Sequence, residues 1–318
     1  MFKFKRILLS DIDFNDHSFL ITTRSDIDDL MTSIRALGLL NFPLLIQKNS
    51  KYTVVCGFRR LAACQALGWP DMEARLLSSE SPPLKCAQHA ILDNISQRSL
   101  NYLEKSRSLC LLAACCGSLQ ELSQRASETG LPEHPDVIKK IMGLIFLPAA
   151  LQTALLSDTI SFPMALELGA MTAGEGVRLA ELFKVLKLGF SMQSELIRHI
   201  KEISVREDLP IGQLLQERFI QNVLNDDDMD SIQKTRQIRS WLKQRRFPNL
   251  SGAEKEFESL AKSLKPGKHI KLTPPPDFEG LAYTLSFYFK NMKELLDCKD
   301  RFDKMICNPN LHRLLSRK

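Results

Sequence analysis

Between Leu77 and Lys85 the hydrophobic rhythm of the chain changes, and that change limits the folds open to it. Before it, PLLIQ and YTVVC, separated by the polar KNSK, read as a β-hairpin. ILLSDI is strand-like, and SDIDDLMTSIRALGLL places Ile27, Leu30, Ile34 and Leu37 at helical spacing. Ser25 and Asp28 form a weak capping signal for that helix, and Gly38 stops it. A helix over Arg60 to Leu67, the turn GWPD and a strand over MEARLL complete this part, and SSESPP reads as a loop. From Lys85 to about Phe247 almost everything has helical period, cut at LPEHP, FLP, ISFP, DLP and RRFPN. Beyond that, GAEKEFESLAKSL is helical, PGKHIKLTPPPDFEG is loop with a short strand, LAYTLSFYF alternates as a strand, and KNMKELLDCKDRF closes as a helix.

The expected class is therefore α+β at the front, all-α in the middle, and a small αββα unit at the end, with helix dominating. The 318 residues exceed the usual size of one core, so several domains are expected. The boundaries read as 1–84, 85–247 and 248–318. No apolar run reaches the roughly 20 residues of a membrane-spanning helix, and the apolar stretch in MFKFKRILLSDIDFND is too short for a signal peptide. A cytoplasmic location without a membrane partner is the expectation.

Eight cysteines include no C-x-x-C pair, and Cys86 with His89 finds no second pair at zinc-site spacing. Several lie among Leu and Ala, where free Cys behaves as a small buried hydrophobe. The formal net charge of +6 permits an anionic partner without requiring one. The densest basic run, KTRQIRSWLKQRR (Lys234 to Arg246), follows the acidic NDDDMD. It reads either as a solvated, charge-laced helix or as a phosphate-binding face built from Arg236, Arg239, Lys243, Arg245 and Arg246.

VVCGFRRLAACQALGW carries the most specific chemistry. Glycine between strand and helix lets the backbone approach a ligand, and the first amides of the helix then point at it. Arginine adds a fork of donors matched to phosphate oxygens. Arg59 and Arg60 could instead be surface residues, but cations at a helix N-terminus are unfavourable without an anion.

The stretch IRALGLLNFPLLIQKNSKYTVVCGFRRLAACQALGW resembles the N-terminal domain of the ParB family of partition proteins, where a "GLLQP" segment precedes a hairpin and a "GERRxRAA" box. DNISQRSLNYLEKS (Asp93 to Ser106) is similar to the family's "EN-x-x-R" and "L-N-P-x-E-E-A" motifs. ELSQRASETGLPEHPDVIKKIMGLI reads as a helix-turn-helix, and LPAALQTALLSDTISFPMALEL after it resembles a further family stretch. HIKLTPPPDFEGLAYTLSFYFKNMKELLDCKDRF resembles, more loosely, the ParB C-terminal dimerisation unit. The motifs run in family order over most of the chain, and the N-terminal one continues to about residue 106.

The resemblance implies a homodimeric DNA clamp switched by CTP with Mg2+, associated with a nucleoid or plasmid, with a partition ATPase as a further partner. Gly57, Arg59, Arg60, Asn94 and Arg98 would hold the triphosphate, and Asp93 with Asn94 the metal. Asp93 and Asn94 would serve equally well as a helix N-cap. His134, Asp136, Lys139 and Lys140 would face double-stranded DNA from the second helix of the helix-turn-helix, with Gly130 in its turn. The chain departs from the pattern in places. Phe58 replaces the Glu of the box and Ala62 its last Arg, Gln97 stands where the second motif has Arg, and Pro163-Met164-Ala165-Leu166 replaces "GHAR". Binding of nucleotide is the expectation, hydrolysis is left open, and the usual centromere-like site is not the expected target. The alternatives are a DNA-binding regulator without nucleotide chemistry and, behind it, a nuclease. A sulfiredoxin-like reductase would need a cysteine where Phe58 stands.

Overall fold

The computed structural model describes residues 3–316 apart from residue 281. Its contacts group into two units, Met1–Lys184 and Val185–Lys318, and each is described by itself.

In the first unit, β1 (Lys3–Leu8) leads to α1 (Asp28–Leu37), the hairpin β2 (Leu44–Lys48) and β3 (Lys51–Cys56), α2 (Phe58–Ala66) and β4 (Asp71–Leu77). The sheet order is β1-β4-β2-β3. β4 runs antiparallel to β1 and parallel to β2, and β2 runs antiparallel to β3. The apolar runs of the hairpin are continuous because both faces of the sheet are covered. Leu45, Tyr52 and Val54 pack with Ile34 of α1 and Leu61 of α2. Leu44, Ile46, Val55 and Cys56 point the other way, into a core shared with the helices that follow. Asn49, at φ 53°, makes the hairpin turn in the left-handed region that asparagine tolerates.

The chain continues through α3 (Pro83–Ile95), α4 (Tyr102–Ala113), α5 (Leu119–Glu128), α6 (Pro135–Met142), α7 (Ala149–Leu156), α8 (Phe162–Gly169) and α9 (Ala173–Leu186), the last ending two residues past the boundary of this unit. Ala87 and Ile91 of α3, Leu109 and Leu112 of α4, Leu122 of α5 and Ile138 of α6 belong to the same buried cluster as the sheet residues.

The second unit holds α10 (Phe190–Glu207), α11 (Ile211–Leu215), α12 (Arg218–Leu224), α13 (Ser231–Arg246) and α14 (Pro248–Ser263), then β5 (Ile270–Thr273), β6 (Thr284–Phe287), α15 (Met292–Ile306) and α16 (Pro309–Leu315). β5 and β6 form a two-stranded antiparallel sheet over a small core of Leu264, Ile270, Cys298 and Met305. No single helix among the described residues is long and apolar enough to cross a membrane.

At three points the structure departs from the sequence pattern. The first strand is Lys3–Leu8 rather than ILLSDI, since Leu9–Asp11 turns as a 3-10 helix once pairing with β4 ends at Leu8. α2 begins at Phe58, so both arginines lie in its first turn. The final strand is shorter than LAYTLSFYF, covering Thr284–Phe287, and Leu281 lies outside the described residues.

Candidate functional site

Gly57 joins β3 to α2 at φ 95° and ψ 26°, a left-handed conformation that glycine adopts without penalty. A Cβ there would meet Pro43 at 3.1 Å, so a side chain would crowd Pro43 as well as strain the backbone. No side chain caps α2, and its first turn contains no acidic residue. The first backbone bond across the α2 N-terminus is Leu61 N–H to the Gly57 carbonyl, so the amides of Phe58, Arg59 and Arg60 are left for a ligand or water.

Around this helix start the fold gathers the residues singled out in the sequence. Gly57, Arg59, Arg60, Asp93, Asn94 and Arg98 line one cleft of about 100 Å³, together with Thr22, Cys56 and Gln97. Each arginine already has protein partners. Arg59 donates from Nε to the Asp26 carbonyl at 2.9 Å, and Nη2 reaches the Asp26 carboxylate at 3.4 Å. Arg60 donates to the Asn41 carbonyl at 2.9 Å and to Asp93 Oδ2 at 3.2 Å. Arg98 grips Glu104 with both terminal nitrogens, at 2.5 and 2.6 Å, and also reaches Thr22 Oγ1 at 3.2 Å.

Glu104 is the residue that sequence reasoning missed. It is fully buried, and it accepts from the backbone amides of Thr23 at 2.9 Å and Asn101 at 3.1 Å. Burial alone would raise its pKa. The Arg98 bonds and the two amides more than reverse this and hold the carboxyl at about 2. The signal was present as Asn101-x-x-Glu104, a capping box that starts α4. The N-cap alternative for Asp93 and Asn94 fails, because both lie in the last turn of α3.

The donor set suits anionic oxygens. It suits a metal less well: the Asp93 carboxylate faces Arg60, and the Asn94 side-chain nitrogen donates to the Ala90 carbonyl at 2.8 Å. No group of three His, Cys, Asp or Glu side chains fit for a metal occurs among the described residues. Mg2+ would need oxygens from a ligand as well. Burial, with the charge of Asp93 adding to it, pushes the Cys56 thiol up to about 12, which leaves no thiolate at neutral pH for redox or nucleophilic chemistry.

The other predicted residues lie elsewhere. α5 and α6 are separated by residues 129–134, with Gly130 at φ 74° in the turn. Ile138 and Ile141 anchor α6 in the core, while His134, Asp136, Lys139 and Lys140 are exposed. His134 caps α6, its Nδ1 accepting from the Asp136 amide at 3.3 Å. On α13, Arg239 pairs with Glu195 at 2.7 Å, Lys243 with Glu254 at 2.9 Å, and Arg245 with both Glu207 and Glu217 at 2.6 Å. Arg246 bonds Glu202 at 2.7 Å. Of that basic run's five expected phosphate contacts, only Arg236 has no carboxylate partner among the described residues. Trp241 stacks on Phe219, with ring centres 5.4 Å apart.

Residues 5–95 match the sequence profile of the ParB N-terminal domain, a span that holds the whole sheet from Lys5 onward, Gly57 and α3. Residues 5–95 belong to the ParB N-terminal domain family. The chain is 29% identical over 142 residues to a probable chromosome-partitioning protein ParB of Helicobacter pylori, covering 44% of this chain and 47% of that protein. It is 27% identical over 137 residues to a nucleoid occlusion protein of Geobacillus kaustophilus, covering 42% and 46%. The chain thus spans about half the length of the curated relatives it matches. Two structures of the C-terminally truncated Caulobacter crescentus ParB also match. One, complexed with CTP-γ-S, is 24% identical over 57% of this chain and 98% of that one, at a TM-score of 0.27. The other, complexed to the centromeric parS site, is 20% identical over 61% and 98%, at 0.36. Within the span that matches this profile, the start of α2 leaves the amides of Phe58, Arg59 and Arg60 without an intrahelical partner.

Proposed function

We propose that this chain is a dimeric DNA-binding protein acting in chromosome or plasmid partition, with CTP as a switching ligand at the α2 cleft. The observation that carries this reading is the gathering of Gly57, Arg59, Arg60, Asn94 and Arg98 around the uncapped start of α2. Such a set binds the phosphate end of a nucleotide through amide donors and guanidinium forks together. A ligand phosphate competes with Asp93 for Arg60 and with Glu104 for Arg98, so binding rewires ion pairs that hold α2, α3 and α4. That competition is the physical basis for a switch. Where a metal takes part, Asp93 and Asn94 would meet it beside the phosphates.

DNA contact falls to His134, Asp136, Lys139 and Lys140 at the start of α6, used as the second helix of a helix-turn-helix. Self-association falls to the C-terminal αββα region, where Tyr288, Phe289, Met292 and Leu296 are all exposed, an apolar surface that a second copy would cover. A partition ATPase would be a further partner, and the nucleoid or a plasmid the place of work.

Calorimetry with CTP and Mg2+ tests the nucleotide role. Wild-type protein is expected to bind and Arg60→Ala to lose most of that affinity. No heat with any nucleotide, or unchanged binding by Arg60→Ala, would sink the phosphate role. One observation favours a second reading, a DNA-binding regulator without nucleotide chemistry. The cleft volume of about 100 Å³ is well below the roughly 300 Å³ of small ligand pockets, so a nucleotide needs the cleft to open.

A further inference from the structure

An opening of the second unit lies between α10 and α13, apart from the α2 cleft and from the exposed start of α6. It has a volume of about 710 Å³. Its floor is apolar: Leu188 is buried, Met192 and Phe247 are half-buried, and Ile232 is 76% exposed. An isoleucine that open on a capped helix leaves a large apolar side chain in water at its rim. One wall carries Arg236, Arg239 and Lys243, three and four residues apart on α13, which places them along roughly 10 Å of helix at 1.5 Å per residue. Lys187 also lines the opening. Among the described residues Lys187 and Arg236 have no carboxylate partner, whereas Arg239 and Lys243 meet Glu195 and Glu254.

The floor is held in place by a buried polar chain. His199 is 6% exposed, with Nδ1 3.0 Å from Arg246 Nη1 and Nε2 3.5 Å from Glu195 Oε1. The guanidinium can only donate, so Nδ1 accepts and the ring proton faces Glu195. Glu195 in turn fixes Arg239 at 2.7 Å. The groove is therefore preformed, with one charged wall locked and two cations free of carboxylates.

We propose that this groove docks an acidic amphipathic helix of a partner protein. An apolar floor flanked by cations over two helical turns matches a helix that buries residues at i, i+3 or i+4, and i+7 and carries carboxylates beside them. Charge complementarity selects the acidic partner: the guanidinium of Arg236 and the ammonium of Lys187 lack anions that such a helix supplies. Duplex DNA fits less well, because the floor is hydrocarbon and a phosphate backbone has no apolar face to lay on it.

The test uses the full chain and three labelled synthetic peptides of about 14 residues, enough for a two-turn contact with margins. One is acidic and amphipathic with Leu at i, i+3, i+4 and i+7, one is its scramble, and one carries Lys for Glu. Fluorescence anisotropy should show binding of the first peptide alone. Ile232→Asp is expected to weaken it about tenfold or more, as loss of a buried aliphatic side chain implies, and Arg236→Glu to weaken it severalfold. Both positions are exposed, so the variants should fold. The proposal is overturned if the amphipathic peptide does not bind, if the scramble binds as well, or if neither variant weakens binding. Displacement of the peptide by duplex DNA would give the wall to DNA, and a peptide-free dimer abolished by Ile232→Asp would give the groove to a second copy. Either result also overturns it.

Discussion

Replacing Glu104 by Gln isolates the charge that ties the loop before α1 to α4 and to the segment joining α3 to α4. Gln still serves as the third residue of a capping box, so the amide contacts of Asn101 are conserved and the anion facing Arg98 is removed. Glu104 is fully buried, and its carboxyl sits at about 2 against an ordinary value of 4.5. Each tenfold difference in proton affinity between the folded and unfolded chain is worth about 1.4 kcal/mol, which here amounts to roughly 3 kcal/mol of native-state stabilisation at neutral pH. The sign follows from proton uptake. The unfolded chain binds the proton first, so the contribution is complete above about pH 4.5 and is lost as pH falls through about 2. By pH 3 only roughly 1 kcal/mol remains. Trp69 lies in the first unit and Trp241 in the second, so urea denaturation followed by fluorescence in a Trp241→Phe background reports on the unit that holds Glu104. The gap between parent and Glu104→Gln should be about 3 kcal/mol at pH 7 and should narrow to roughly 1 at pH 3. A gap that is the same at both pH values, or below about 1 kcal/mol at pH 7, would refute the account of Glu104 as a buried, strongly paired anion.

Gly57→Ala is expected to destabilise the first unit by about 1–3 kcal/mol, the usual toll of a side chain in a left-handed backbone, and thermal denaturation measures it. Lys139→Ala combined with Lys140→Ala should lower the slope of log affinity for duplex DNA against log salt by about 2, with stability unchanged; an unaltered slope would remove α6 from the DNA contact. Phe289→Asp should shift sedimentation from dimer to monomer without unfolding the chain, since the side chain is exposed.

The sheet and its flanking helices are legible in the sequence because burial imposes a period. PLLI and TVVC are continuous apolar runs since α1 and α2 cover one face while α3 covers the other. The first strand escapes that pattern because Lys3–Leu8 alternates weakly, with Ile7 its only buried residue. In the cleft, residue types are legible and their partners are not. Gly57, Arg59 and Arg60 announce anion chemistry through type and position, but Arg59 and Arg60 rest on the carbonyls of Asp26 and Asn41, which any residue could have supplied. Asp93 shows only its carboxylate in the sequence, whereas the turn of α3 that carries it sets it opposite Arg60.

The same limit separates the two basic stretches. Lys139, Lys140 and the cations of α13 look alike in sequence, and only helix packing distinguishes them. α13 lies against α10, whose Glu195, Glu202 and Glu207 meet Arg239, Arg246 and Arg245 in turn. Charge that folds back on its own unit stabilises a helix pair, and on α13, closed by a capping box, breaking each pair is not offset by the open helix start that stands beside Arg60 and Arg98. Lys139 and Lys140 extend from a helix whose buried face is apolar, Ile138 and Ile141, with no carboxylate among the described residues to hold them. Density of positive residues is therefore a poor guide to free charge in this chain, and under the proposed DNA contact the unpaired cations of α6 are the ones from which counterion release would come.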